Sequence, residues 1–174
     1  MMNKETIKKE LTEKHKEFVY YINSLSDNDI LNTKNNQKWS AGQHLEHIYL
    51  SVRPVNMALL LPKIIMRLFF GKPNEKRTYE QLVNDYQNAL KNGGKAGALY
   101  IPKSVSISKK QNLIINLTKL VVALNRKIDK ISEEDLDKHN LPHPLIGKTT
   151  IREMLYFTIY HVQHHQKAIK ENLN

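Results

Sequence analysis

Apolar residues recur every three to four positions along most of this chain, and strand-like alternation is almost absent, so the pattern predicts helices. A first helix is expected over about Glu5 to Ser24, with Ile7, Leu11, Phe18, Val19 and Ile22 as its apolar stripe. The turn-prone "SLSDND" ends it. A second helix starts at Ser40, where Ser40-Ala-Gly-Gln43 has the form of a capping box, and Leu45, Ile48, Val52, Val55 and Leu59 follow at helical spacing. Pro54 falls inside that run and is expected to kink the helix without ending it. Two shorter helical pieces occupy 63–92, separated by "GKPNEKRT", and the glycine-rich Asn92–Ser104 reads as a crossover loop. Ser108-Lys-Lys-Gln111 reads as a second capping box, opening a long helix with Leu113, Leu117, Leu120, Val121, Leu124 and Ile128 on one face. Ser132–Lys148, punctuated by Pro142, Pro144 and Gly147, reads as an irregular loop. Thr150-Ile-Arg-Glu153 is a third capping box and opens the last helix. Four long helices with long connections describe an all-α four-helix bundle with crossovers.

Length changes this picture little: 174 residues suit one domain, 1–174, with a core of its own. The longest apolar run, Met57–Phe70, is broken by Pro62, Lys63 and Arg67 and is too short and polar to span a bilayer. The opening residues are charged throughout, unlike a secretory leader, so a soluble cytoplasmic protein with no membrane partner is the expectation. The absence of cysteine agrees with it and removes disulfides, thiolate nucleophiles and thiolate-bound zinc from consideration. The 27 basic residues outnumber 17 acidic ones, for a formal charge of +10. The lysines are scattered through every segment and no basic stripe is interleaved with aromatics, so they read as solvated faces rather than a nucleic-acid site.

The chemistry lies in the histidines. On the last helix Ile151, Leu155, Thr158, Val162, His165 and Ile169 recur at spacings of four and three, an inward seam. His161 lies one turn before His165, and two imidazoles four residues apart on one helical face can bind one metal ion. His164 points about 100° away from His165. If the second helix runs antiparallel to the last, His47 faces that pair, and three neutral imidazoles leave an open fourth position of the catalytic kind. The plainer alternative is a set of hydrogen-bonded core histidines. His44 and His164 are expected to support neighbouring carbonyls or line a pocket, His143 to reach the mouth of the site or shape its loop, and His15 and His139 to lie on the surface.

Two stretches carry a resemblance. Trp39-Ser40-Ala41-Gly42-Gln43-His44-Leu45-Glu46-His47 and His161-Val162-Gln163-His164-His165, with the lead-in His143–His161, resemble the DinB/YfiT-like superfamily of metal-dependent proteins. The resemblance implies a four-helix bundle of up-down-down-up topology, commonly a homodimer. It also implies a metal site of one histidine on the second helix and two on the last, which fall here on His47, His161 and His165. Zinc and nickel are the metals it implies. Characterised members include S-transferases and isomerases that use low-molecular-weight thiols such as bacillithiol and mycothiol. Two departures stand out: Gln43 replaces a glutamate frequent in relatives, and Ala168 stands where relatives often have glutamine.

Two functions of different class follow. One is a metal-dependent enzyme that activates a small thiol or water, transferase-like or hydrolase-like. The alternative is a non-catalytic, stress-associated binding or dimerisation bundle whose histidines are structural or bind metal adventitiously.

Overall fold

The computed structural model describes residues 1–33, 38–71 and 76–173. Among them are eight α-helices, a 3₁₀ turn and one β-hairpin: the four long helices and the two shorter pieces expected from the apolar pattern, with short helices at 27–31 and 133–138 and the hairpin beyond it. In chain order these are α1 (Lys4–Ser24), α2 (Asp27–Leu31), α3 (Ala41–Ala58), α4 (Lys63–Phe70), α5 (Tyr79–Lys91), a 3₁₀ turn (Ala98–Tyr100), α6 (Ile107–Asp129), α7 (Glu133–Lys138), β1 (Asn140–His143), β2 (Gly147–Thr150) and α8 (Ile151–Leu173). The four long helices form a closed ring of packed neighbours: α1 on α8, α8 on α3, α3 on α6 and α6 on α1. Between them lie Ile7, Leu11, Phe18, Leu45, Ile48, Leu117, Leu124, Leu155 and Val162, all buried. The short helices and the hairpin cover the ends and flanks, with α5, α7 and both strands on α8.

Two of the three capping boxes form. Ser40 Oγ accepts from Gln43 N at 3.3 Å while Gln43 Oε1 accepts from Ser40 N at 2.9 Å. Thr150 and Glu153 do the same for α8, at 3.1 and 3.0 Å. The box expected at Ser108 does not form. α6 begins two residues earlier, after Ser106, so Ser108 already lies in its first turn, where its hydroxyl pairs with that of Ser106 at 2.9 Å. A further box appears at α5, between Thr78 and Gln81.

The segment 132–148 is not an irregular loop. Ser132 caps α7 by accepting from Asp135 N at 3.1 Å, and three carboxylates crowd its first turn, where the helix dipole favours them. The hairpin pairs Asn140 with Thr150 and His143 with Gly147, and Gly147 takes the left-handed backbone (φ 71°) that its turn requires. Pro142 is tolerated because a two-stranded sheet consists of edges. Pro54 does lie inside α3, which continues to Ala58. Much of "GKPNEKRT", at 72–75, falls outside the described residues. Among the described residues no single helix is long and apolar enough to cross a membrane; α3 and α4 together pass on length and composition but are bent 111° apart.

His15 is not on the surface. Positions 7, 11, 15, 18 and 22 form the buried face of α1, so the same spacing that buries Leu11 and Phe18 buries the imidazole between them. His139 is half-buried rather than exposed, with Nε2 3.5 Å from Asp135 Oδ1.

Candidate metal centre

The capping box at Ser40 fixes where α3 starts, and His44 and His47 therefore leave its first two turns on the buried side. Gly42 makes this start possible: a Cβ there would lie 3.0 Å from Ile30 O and 3.1 Å from Val105 Cβ, so α2 and the end of the crossover approach α3 only because that side chain is missing. On α8 the seam brings His161 and His165 to the same depth, beside α3. His47, His161 and His165 meet: one ring nitrogen of each lies within 4.8 Å of those of the other two, and all three residues are buried. His161 Nε2 is 3.2 Å from His47 Nε2 and 3.0 Å from His165 Nε2. Sequence spacing and geometry select the same trio.

The proton count on these rings is informative. His47 Nδ1 lies 2.6 Å from Tyr100 O, and a carbonyl only accepts, so Nδ1 carries the proton and Nε2 of the neutral ring holds a lone pair. His165 Nδ1 is 2.7 Å from His44 Nδ1, and a proton donated from His165 leaves its Nε2 as a lone pair too. In that arrangement a single proton on His161 Nε2 would have to serve two acceptors, whereas one cation would satisfy all three nitrogens. The donor set therefore fits a divalent metal of imidazole preference. Burial, first of all, holds the rings neutral: it lowers His161 and His165 well below the ordinary histidine value and lowers His47 as well. Neutral imidazole is the form that ligates.

The remaining histidines divide. His44 does not line the cavity; it stands behind His165, is pushed down to about 3 by burial and its histidine neighbours, and its buried Nε2 has no partner among the described residues. His164 lies on the cavity wall, its ring 5.9 Å from Tyr86 and 5.2 Å from His165. His143 both shapes its loop and reaches the cavity, accepting from Leu145 N and Ile146 N at 3.1 and 3.3 Å. Trp39 closes one side, stacked on His165 at 6.1 Å and 13° and tilted against His47 at 4.9 Å. Phe157 stacks on His161 at 4.6 Å and 27°.

A cavity of about 600 Å³ opens onto the trio. Its wall is predominantly apolar, with Trp39, Phe70, Tyr86, Leu90, Met154 and Phe157 among its residues, and the crossover contributes Lys95 and Tyr100. The apolar pattern gave no sign of the Tyr100 carbonyl, because a main-chain acceptor has no sequence signature. Nor did it single out Tyr86 or Phe157. A fixed distance from a motif histidine (Phe157 is one turn before His161) was the available signal.

A sequence model of the DinB superfamily matches residues 6–169, nearly the whole chain, and the chain belongs to that superfamily. No curated protein matches it in sequence.

Proposed function

We propose that this member of the DinB superfamily is a metal-dependent enzyme in which His47, His161 and His165 hold one divalent cation, zinc or nickel. The observation that carries the reading is the convergence of three neutral ring nitrogens at the wall of a largely apolar cavity. Three protein ligands leave a fourth position open, as catalytic sites do and structural sites do not. A cation held there supplies Lewis acidity and lowers the pKa of a bound thiol or water.

The protein's own residues do the rest. The Tyr100 carbonyl fixes the tautomer and orientation of His47, and His44, 2.7 Å from His165 Nδ1, helps orient His165. Trp39 and Phe157 cover the imidazoles and keep bulk water from their faces. The cavity holds a small apolar substrate beside them. A low-molecular-weight thiol is the proposed cosubstrate, with a transferase-like or hydrolase-like outcome. The ring of α1, α8, α3 and α6 supports the up-down-down-up bundle, and we read the protein as a cytoplasmic homodimer in keeping with its family. A purely structural or dimerisation bundle has no need of a cavity ending on three converging imidazole nitrogens, and this favours the enzyme.

Metal analysis of protein purified without chelator tests the reading. About one equivalent of a single divalent metal is expected, falling on His47→Ala or His165→Ala, and less than about 0.2 equivalents, unaffected by either substitution, would refute it. Saturation at a hundred times the dissociation constant should also add about 3 kcal/mol of stability.

A further inference from the structure

His143, on the cavity wall, has no part in that scheme. His143 ends β1, where the chain turns through Pro144 and Leu145 toward Gly147. The N–H groups of Leu145 and Ile146 both point at its Nδ1, at 3.1 and 3.3 Å. Each can only donate, so Nδ1 is a lone pair and the ring's single proton sits on Nε2. Two main-chain donors set this tautomer, and a second proton on Nδ1 would have to displace both. Burial and the nearby Arg77 charge act in the same sense, holding the ring down to about 4 and therefore neutral.

Nε2 lies on the side of the ring away from those two donors. Among the described residues nothing accepts from it, and unlike the partnerless Nε2 atoms of His15 and His44 it is not sealed off. The ring lines the same cavity as His47, His161 and His165. It meets Phe157 edge-on at 4.2 Å, and Phe157 in turn stacks on His161, so one aromatic ring separates the two imidazoles. Tyr86 stands 6.1 Å from each of them. A molecule in the cavity thus has three closely spaced imidazole nitrogens on one side, a lone N–H on another, and mostly hydrocarbon between.

We propose that His143 is a positioning residue: its fixed Nε2–H donates to an acceptor oxygen, such as a carbonyl, on an otherwise apolar substrate and so turns the adjacent carbon toward the side of the cavity where His47, His161 and His165 stand. The choice of substrate class follows from what the donor refuses. A neutral N–H without a counter-charge gives nothing to a cation, and a hydrocarbon of the same shape leaves it unpaired. The chemistry at that carbon rests on the function proposed above; the recognition does not, because it requires only the cavity and the tautomer.

Binding of 2-acetylnaphthalene and of its hydrocarbon counterpart 2-isopropenylnaphthalene, followed by calorimetry, tests the proposal. Wild type should prefer the ketone by about fivefold to tenfold, the value of one neutral hydrogen bond. His143→Asn places an acceptor near the Nδ1 position, so it should keep the turn and the melting temperature, yet it lacks the reach of Nε2 and should lose the preference. His143→Gln, whose amide N–H extends further, should regain part of it. Equal affinities in wild type, a preference that survives in His143→Asn, or no binding of either naphthalene would each overturn the proposal. Long-range proton–nitrogen NMR spectra should show His143 as the Nε2–H tautomer from pH 8 to pH 5, and an Nδ1–H ring would equally overturn it. Metal content measured on the same samples separates the two ideas. A ketone preference without metal sinks only the metal reading, and metal without a ketone preference sinks only the role of His143.

Discussion

His15 offers a quantitative test of how the core was built. The imidazole is fully enclosed on α1, donates from Nδ1 to Leu11 O at 2.8 Å, and leaves Nε2 without a partner among the described residues. Burial lowers it from 6.5 to about 4, and the bond to Leu11 offsets only part of that. Because the folded value is the lower one, the unfolded chain binds more protons between these limits, and stability rises with pH across them. The contribution is complete above pH 6.5 and is lost as the pH falls through the folded value. Each pH unit separating the two values is worth about 1.4 kcal/mol, so the whole loss comes to about 3 kcal/mol. About 2 kcal/mol of it should be gone by pH 5. His15→Leu keeps an apolar side chain of similar size and removes the titration. Urea unfolding of both proteins at several pH values from 7.5 to 4.5, after chelation, gives the difference between them, in which the other histidines cancel to first order. The variant should gain on wild type by about 2 kcal/mol between pH 7.5 and pH 5. A gap that stays constant across that range would show that the ring is not enclosed as described.

Other perturbations reach the remaining parts of the argument. Arg152, buried on α8, binds Asp137 at 2.7 Å, Met2 O at 2.7 Å and Glu133 at 2.8 Å, so Arg152→Ala leaves the half-buried Asp137 with only the longer contact to Lys76, at 3.3 Å, and should cost about 2 kcal/mol in urea unfolding. His44→Phe keeps the three candidate ligands while removing the partner of His165 Nδ1. Competition with a chromophoric chelator should show metal affinity reduced by about tenfold to a hundredfold, with the fold intact by circular dichroism. Gly42→Val forces a branched side chain against Ile30 O and Val105, and should destabilise the protein by about 1–3 kcal/mol and lower its metal content at the same time.

What the sequence disclosed depended on the physical origin of each feature. The long helices were legible because burial of one face imposes a 3.6-residue period, and the caps at Ser40 and Thr150 were legible because they are made by side chains. His161 and His165 could be paired from spacing alone. Bringing His47 to them needed α3 to pack on α8, and the motif resemblance pointed to the same trio before the structure did. The hairpin escaped notice because four-residue strands carrying a proline show no alternation, and α7 because six residues are too few to show a period. His15 was misjudged on residue type, although its position on the stripe was plain. His44 was expected at a carbonyl or on a pocket wall and instead pairs with another imidazole, a choice settled by helix packing and not by its neighbours in the chain.

The Tyr100 carbonyl has one more implication. It holds His47 through a main-chain oxygen, which every amino acid supplies equally. As far as the orientation of His47 is concerned, position 100 can therefore drift in sequence without consequence. An insertion or deletion between α5 and α6 cannot be absorbed in the same way, because it would carry that oxygen along the crossover and away from the ring. Part of the site is thus specified by the number of residues in a loop rather than by what they are.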